Sequence, residues 1–274
     1  MLKTNNLLVI EKNDLIYIKF PKIEALGITR HLFSTRHGGV SKGYCSTMNL
    51  SFNRGEPRED TLKNYEILCS AEGIKTENLV LSHQTHTNNV MCVTKEDCGT
   101  GITKPSFSDI DGLITNQSGV ALVTQYADCT PLLFCDPVKK VIATSHAGWR
   151  GTVKLIGKIT VEKMTAEFGC DPKDIVVGIG PSIKQCCYEV DTPVYNEFLK
   201  IDFLKLDSIF TKKSEGKFML DLVEANRQIL INSGIKDENI DCSDICTSCN
   251  SDDLHSHRKT GGKRGNLAAI IELI

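Results

Sequence analysis

One cysteine and one histidine stand at the ends of two apolar segments in the middle of the chain. Cys129 follows the run Val120–Val123, and His146 follows the run Val141–Thr144. Both runs are short and bounded by turn residues, a pattern that predicts buried β-strands. Strand ends that lead into loops are where sheet proteins place chemistry. Because thiolate and imidazole groups can bind a metal ion or perform nucleophilic catalysis, these two residues are the first site candidates.

A third apolar run, Leu79–Leu81, is followed by two histidines, His83 and His86. Because they are three residues apart, an extended backbone would point them in opposite directions, so we expect one to join Cys129 and His146. One cysteine and two histidines suit a tetrahedral zinc site whose fourth position stays open for water or substrate. A Cys129 nucleophile with His146 as its base is the alternative, and spacing alone does not separate the two.

Several basic residues could bind an anion. Arg36 lies beside the glycine-rich turn at Gly38, and His257, Arg258 and Arg264 lie in the basic segment near the C-terminus. The planar guanidinium group suits phosphate. Solvated loop residues are the alternative interpretation.

The chain has 12 cysteines among 274 residues, at irregular spacings. With no export signal visible, this usage indicates reduced thiols and predicts a cytoplasmic protein. We interpret the adjacent pair Cys186–Cys187 as buried packing. A second group of possible metal ligands comprises Cys242, Cys246, Cys249, His255 and His257. Whether it binds a metal stays open, because its spacing matches no standard structural zinc motif.

Composition and charge exclude several classes of protein. Hydrophobic residues make up 41% of the chain, charged residues 24%, and the net charge is −2. These values are ordinary for a globular protein, and they give no reason to expect broad nucleic-acid or membrane-surface binding. Lys and Asp interrupt the apolar stretches of the N-terminal segment, so it predicts neither a signal peptide nor a membrane span.

Strand-like and helix-like segments alternate only in part. An N-terminal hairpin is predicted within residues 1–25, and a long helix over Thr152–Phe168 that ends at Gly169 in a left-handed cap. Several strands form hairpin-like pairs. We therefore predict an α/β fold of α+β-like organisation, with a mixed β-sheet packed against helices in a single domain over residues 1–274. The segment Gly178–Gly180 lacks the dinucleotide fingerprint, which argues against a Rossmann fold.

Several sequence blocks resemble those of one family, from about Phe33 to near the end of the chain. The most specific are ADCTPLLFCDP and, shortly after it, SHAGWRGT; the others are STRHGGVSKG, HQTH, DGLIT, GIGPSIKQCCYEV and SHR. The chain resembles the YfiH family, also called the laccase-domain or multicopper polyphenol oxidase family, whose members are mostly described as purine nucleoside phosphorylases.

The resemblance implies a zinc site formed by His86, Cys129 and His146, with Cu²⁺ as the alternative metal. It implies a fold like that of cytotoxic necrotizing factor toxins, whose Cys–His active sites underlie the thiol-nucleophile alternative. The implied activity is phosphorolysis of adenosine, inosine and S-methyl-5′-thioadenosine, which releases the base and a sugar 1-phosphate. Adenosine deamination is also implied.

Within this implied chemistry, Cys129 and His146 are also catalytic candidates. His83 and Asp128 are candidates for supporting or proton-transfer roles. The candidates for binding phosphate and substrate are Arg36, Arg150, His257 and Arg258. The expected partner is a small molecule, and we expect a monomer or a homodimer.

The chain departs from the family pattern beside His86 and in the basic segment near the C-terminus. Thr87 follows His86 where members usually carry glycine, and Lys259 follows Arg258 where they usually carry a second arginine. Two alternative functions stay open. One is a copper-dependent polyphenol oxidase, for which 7 histidines are few. The other is a cysteine- or metal-dependent hydrolase that edits peptidoglycan precursors.

Overall fold

A computed structural model of the chain describes residues 2–274. The described residues form sixteen β-strands in two large sheets and one small sheet. In chain order the strands are β1 (Leu8–Lys12), β2 (Leu15–Lys19), β3 (Thr29–Ser34), β4 (Leu79–His83), β5 (Val90–Cys92), β6 (Phe107–Ser108), β7 (Gly112–Thr115), β8 (Ala121–Tyr126), β9 (Thr130–Asp136), β10 (Val141–Ala147), β11 (Val176–Ile179), β12 (Glu189–Asp191), β13 (Phe210–Ser214), β14 (Lys217–Leu220), β15 (Ile240–Cys242) and β16 (Leu267–Leu273).

The same residues contain eight α-helices and four short 3₁₀ helices. The α-helices are α1 (Pro21–Ala25), α2 (Arg58–Ala71), α3 (Trp149–Val153), α4 (Ile156–Phe168), α5 (Thr192–Leu199), α6 (Leu206–Ile209), α7 (Leu222–Asn232) and α8 (His257–Thr260). The 3₁₀ helices are Gly43–Cys45, Thr76–Asn78, Lys95–Asp97 and Asp237–Asn239. Across residues 2–274, no helix combines the length and the apolar character needed to cross a membrane.

Two large mixed sheets form the centre of the molecule. The seven-stranded sheet has the order β1-β2-β3-β16-β8-β4-β6, and the six-stranded sheet has the order β15-β11-β9-β10-β7-β5. Most neighbouring strands are antiparallel, but β4 runs parallel to both β8 and β6, β5 runs parallel to β7, and β11 runs parallel to β15. The predicted single-domain mixed α/β fold is therefore confirmed. It contains two large sheets rather than one, because a short apolar run does not reveal which sheet it joins.

The two sheets pack face to face through alternating side chains. Leu133 of β9 and Leu122 of β8 share the core between the sheets. Their neighbours Phe134 and Val123 point to the opposite faces, since successive side chains of a strand alternate. Helix α2 covers the outer face of the seven-stranded sheet, while α4 and α7 cover that of the six-stranded sheet. The fold thus has four layers, and its central strands are apolar on both faces.

The small sheet, with the order β12-β14-β13, lies beside these layers. It packs with α5, α6 and the start of α7 around buried residues that include Phe198, Phe210 and Leu220. At the N-terminus, β1 and β2 form a hairpin that continues the seven-stranded sheet through β3.

The segment after β10 differs from its sequence prediction. The helix predicted over Thr152–Phe168 is divided into α3 and α4, because Leu155 between them adopts a left-handed backbone with φ of 60°. Helical periodicity does not reveal a single residue of this kind. The left-handed cap predicted at Gly169 is present, with φ of 68°.

His31 of β3 is a fully buried histidine outside the predicted site. The backbone N–H of Phe20 donates to its Nε2 at 3.0 Å. Burial lowers the pKa of His31 to about 3, and the charge of Lys19 acts in the same direction, against the opposing charge of Glu72. Glu24 is also close, with an oxygen 3.7 Å from Nδ1. The folded protein therefore keeps this imidazole neutral.

This burial predicts a loss of stability in acid. Below about pH 6.5 the unfolded chain protonates His31 and the folded chain does not. The contribution of His31 to the free energy of unfolding therefore falls by up to about 1.4 kcal/mol per pH unit. His31→Gln removes the titrating group and keeps an acceptor for Phe20. Denaturant unfolding at about pH 7 and about pH 5 should show a smaller acid-induced loss in the variant. Equal losses in both proteins would contradict the prediction.

Candidate metal centre and its cavity

Three side chains that could hold a metal ion meet where the ends of the two large sheets come together. His86 lies in the loop after β4, Cys129 lies between β8 and β9, and His146 lies near the end of β10. Their ligand atoms are all within 4.8 Å of one another, and Cys129 Sγ is 3.9 Å from His86 Nε2. Strands β4 and β8 belong to one sheet and β9 and β10 to the other. The group therefore exists only because the two sheets pack together.

Asp111, immediately before β7, fixes the orientation of His146. Its Oδ1 lies 2.8 Å from His146 Nδ1, and both side chains are buried. The contact occupies Nδ1 and leaves Nε2 as the nitrogen available to a metal ion. Asp111 opens the DGLIT block but is not among the site residues predicted from the sequence. The signal that could have identified it in the sequence is an acidic residue immediately before a buried strand.

Asp111 also holds the backbone of the loop that carries His86. Its Oδ2 accepts from the N–H groups of Thr85 and Thr87 at 3.1 and 2.8 Å, and its Oδ1 accepts from the N–H of His86 at 3.1 Å. His86 has φ of 65°, a conformation uncommon outside glycine. The hydroxyl of Thr87 also donates to Oδ2, at 2.8 Å. The threonine at this departure from the family pattern thus adds a bond to the support of the loop.

Gly148 allows the backbone after β10 to approach the three ligands. A Cβ atom at this position would lie 2.9 Å from Cys129 Sγ and 3.0 Å from His86 Cδ2. The contact with sulfur is shorter than real Cβ atoms make, and the contact with carbon is tighter than most of theirs. The glycine of the HAGWRGT block is therefore required by close contact with the site.

Burial and charge oppose one another in this group. Burial raises the pKa of the Cys129 thiol, but the charge of His146 and hydrogen bonds with His146 and His86 outweigh it and lower the pKa to about 6. Burial lowers the pKa of His146, whereas Cys129 and Asp111 raise it above its ordinary value. A thiol that loses its proton readily is suited to metal binding and to nucleophilic attack, so both chemistries are supported.

The three ligands line a cavity of about 1060 Å³. Its walls include the loop after β4, the turn between β8 and β9, the start of α3 and the C-terminal segment around α8. The cavity is strongly cationic, which suits an anionic ligand. Its lining cations are Arg54, Arg58, Lys104, Arg150, Arg258 and Arg264.

Most of the other predicted site residues line this cavity. These are His83, Asp128, Arg150, His257 and Arg258. Arg36, the remaining candidate, is held by backbone carbonyl groups instead. Its guanidinium group donates to the carbonyl oxygens of Ser46 and Ser251 at 2.7 Å each, and it is absent from the described cavity lining. A strand followed by glycines does not show which backbone groups an arginine in the turn after that strand will contact.

Asp128 acts through neighbouring segments. Its Oδ1 accepts from the hydroxyl of Thr247 and its Oδ2 accepts from the N–H of Arg258, both at 2.6 Å. Asp128 is buried and has φ of 86°. Because both carboxylate oxygens are occupied, the geometry favours the supporting role over proton transfer. The carboxylate places Arg258 against the cavity.

Arg264 is a buried cation at the cavity wall. Burial lowers its pKa to about 10, and the nearby charge of Arg54 adds to the effect. Within residues 2–274 its Nε finds no hydrogen-bond partner, while its Nη2 lies 3.5 Å from His257 Nδ1. A buried donor without a partner is uncommon and indicates a place for an acceptor. Arg54, which donates to Asn266 at 2.9 Å, was not predicted because its polar loop contains no motif.

The second predicted cysteine–histidine group does not assemble. Cys246 and Cys249 lie with Cys186 and Cys187, whereas His255 is buried elsewhere, 3.2 Å from the carbonyl of Met48. The interpretation of Cys186–Cys187 as buried packing is wrong, since Cys186 is exposed and Cys187 is half-buried. The remaining members, Cys242 and His257, are also outside the cysteine group.

Comparison with known proteins identifies relatives of this chain. The family model described as multi-copper polyphenol oxidoreductase laccase matches residues 30–274. The chain is 36% identical to purine nucleoside phosphorylase YlmD of Bacillus subtilis over 241 residues, which cover 87% of this chain and 86% of that protein. It is 32% identical to adenosine deaminase RL5 of an unknown prokaryotic organism, over 85% of this chain and 90% of that protein.

Solved structures show the same fold. YfiH of Bacillus licheniformis, a hypothetical protein, superposes with a TM-score of 0.92 at 29% identity, covering 98% of this chain and all of that one. YlmD of Geobacillus stearothermophilus superposes with a TM-score of 0.90 at 31% identity, covering 97% and 98%. The resemblance inferred from the sequence blocks is confirmed. The chain belongs to the multi-copper polyphenol oxidoreductase laccase family and is an enzyme of that family.

Proposed function

We propose that the chain is a zinc-dependent purine nucleoside phosphorylase of the cytoplasm, acting on adenosine, inosine and S-methyl-5′-thioadenosine. The observation that carries the proposal is a single cavity lined by both the group His86, Cys129 and His146 and the buried cation Arg264. The first group offers a metal centre and Arg264 offers an anion site. The names of the phosphorylase relatives support the reaction class.

The donor set fits zinc. One thiolate and two imidazoles are ligands that zinc accepts, and ligand bonds of about 2.3 Å to sulfur and 2.0 Å to nitrogen separate S and N by about 3.5 Å in a tetrahedron. The observed distance between Cys129 Sγ and His86 Nε2 is 3.9 Å. Asp111 holds His146 as carboxylates hold zinc-binding histidines elsewhere. When bound, zinc would supply Lewis acidity at this end of the cavity.

Arginines and a histidine would hold the phosphate. In phosphorolysis a phosphate oxygen bonds to ribose C1′ while the bond from C1′ to the purine breaks, giving the base and a sugar 1-phosphate. Arg264, Arg258 and His257 can bind phosphate through charge-assisted hydrogen bonds. Arg264 is already ordered by contacts of its Nη1 with Gly265 and Asn266, so little side-chain freedom is lost on binding.

The leaving purine needs a proton or a hydrogen bond as its bond to the sugar breaks. His83, exposed at the end of β4, is the proposed donor to a purine ring nitrogen, because it lines the cavity and an imidazole N–H can donate a hydrogen bond. Arg150, which lies over the Trp149 ring at 4.3 Å, is proposed to contact the substrate from α3. Asp128 keeps Arg258 in place.

Adenosine deamination is a second candidate activity of the same site, favoured by the deaminase name of one relative. It would replace the amino group at purine C6 with oxygen from water and release ammonia, without phosphate. A polyphenol oxidase has less support. The residues described offer one group of imidazole ligands, with two histidines, and their other metal-ligand group contains cysteines alone.

The first prediction concerns the reaction. Purified protein of known zinc content should release adenine from adenosine only with phosphate. His86→Ala and Cys129→Ala should each lose one zinc per chain and at least about a hundredfold in kcat/KM, or about 2.7 kcal/mol. Chromatography of adenine and inosine provides the measurement, and His37→Ala, outside the cavity lining, is the control. No turnover by zinc-loaded protein would refute the proposal and direct attention to peptidoglycan precursors.

The second prediction concerns metal affinity. Asp111→Asn should weaken zinc binding at the three-ligand site by about 10- to 100-fold, because the amide no longer orients His146 with a charged partner. Asp109→Asn is the matched control, since Asp109 bonds the Thr85 hydroxyl in the same loop without touching a ligand. Competition with a chromogenic chelator measures both affinities. An unchanged affinity in Asp111→Asn would show that His146 does not depend on this carboxylate.

The third prediction concerns phosphate. Arg264→Gln should raise the KM for phosphate by at least about tenfold, because a hydrogen bond to a charged group contributes about 1.5–3 kcal/mol. The KM for adenosine should change by less than about twofold. Arg227→Gln, which removes a surface partner of Asp237, is the control. If Arg264→Gln instead raises the KM for adenosine alone, the anion site has been placed wrongly.

A further inference from the structure

Four cysteines meet outside the cavity that His86, Cys129 and His146 line, which we call the catalytic cavity. Cys186 and Cys187 lie in the loop between β11 and β12, and Cys246 and Cys249 lie in the turn after β15. Their sulfur atoms are all within 4.8 Å of one another. We call these residues the four-cysteine cluster. None of them has a place in the proposed reaction.

The distances suit a shared ion better than a disulfide. Cys187 and Cys249 Sγ are 3.4 Å apart, and Cys186 and Cys249 Sγ are 3.6 Å apart. Four thiolates at about 2.3 Å from one zinc ion would lie about 3.8 Å from one another in a tetrahedron. A disulfide requires about 2.05 Å. The cluster is thus close to the size of a tetrahedral four-sulfur site.

The surrounding backbone holds the sulfurs in place. The N–H of Lys184 donates to Cys246 Sγ at 3.5 Å, as N–H groups often do to metal-bound thiolates. The N–H of Thr247 donates to the carbonyl of Ser182 at 3.1 Å, which ties the two cysteine-bearing segments together. The side-chain amide of Asn250 donates to the carbonyl of Cys246 at 2.8 Å. The bond between Thr247 and Ser182 therefore joins the two segments without involving a sulfur.

Burial argues against simple packing. Cys246 is buried, but Cys186 and Cys249 are exposed and Cys187 is half-buried. Free cysteines usually lie in the core, as Cys69 and Cys135 do here. We propose that the four-cysteine cluster binds a structural zinc ion, a second metal site separate from the catalytic cavity. Soft thiolates in tetrahedral arrangement favour zinc, and binding releases the four thiol protons.

The proposed ion would brace one wall of the catalytic cavity. Thr247, between Cys246 and Cys249, donates to the carboxylate of Asp128 at 2.6 Å, and the N–H of Ile183 donates to the Asp128 carbonyl at 2.9 Å. Tyr188, next to Cys187, lines the cavity. The ion would therefore join two segments that both contact Asp128. This proposal does not rest on the nucleoside reaction.

Metal content provides the main test. Protein purified under reducing conditions should contain about two zinc ions per chain by mass spectrometry. The double variant Cys186→Ser/Cys249→Ser should contain about one fewer. Cys242→Ser is the matched control, because Cys242 is near the cluster in sequence but outside it, and it should keep both ions. Equal zinc in the double variant and the wild type would overturn the proposal.

A second measurement leaves the cluster intact. His86→Ala, which removes a ligand of the catalytic site alone, should retain about one zinc, and cobalt in its place should give the charge-transfer absorption of a four-thiolate site. The measurements on His86→Ala stay informative if the double variant fails to fold. Iron in place of zinc, a disulfide among the four cysteines in mapped peptides, or a metal-free His86→Ala protein would each overturn the proposal. Unmutated protein that holds the cluster zinc but turns over no nucleoside would count against the phosphorylase alone.

Discussion

The buried carboxylate of Asp111 is the interaction on which the candidate site depends. It accepts hydrogen bonds from the backbone of three successive residues, Thr85, His86 and Thr87, from the Thr87 hydroxyl, and from His146. A buried charge is costly unless it is paired and fully bonded, and here every bond also positions part of the metal centre. The strained backbone of His86 and the tautomer of His146 are both determined by this one group.

The rest of the site follows from the packing of the two sheets. The candidate ligands come from strand ends and adjoining loops of both sheets, so the candidate metal centre lies at their junction rather than on one element. The cavity beside it is closed by loops and by the C-terminal segment, which contributes Arg258 and the buried Arg264. One cavity lined by both the candidate metal ligands and several arginines suits the proposed reaction between a nucleoside and phosphate.

Asp128 connects this cavity to the four-cysteine cluster. Its carboxylate binds Thr247 and the N–H of Arg258, and its carbonyl binds Ile183. These contacts link the turn beside Cys129, the two cysteine-bearing segments and the start of α8. An ion in the cluster would stiffen this connection, in keeping with the general requirement that reacting groups be held by rigid surroundings.

The sequence by itself determined the family and the three candidate metal ligands. Cys129, His146 and His86 follow apolar runs that form buried strands, and the ADCTPLLFCDP and HAGWRGT blocks are specific to one family. Tertiary structure alone decided the contacts between distant segments. Asp111 joins His146, Arg36 turns to the carbonyl of Ser251, and Cys186 meets Cys249, each across many residues. Local periodicity reports which face of a strand is buried, but it contains no information on which loops two packed sheets bring together.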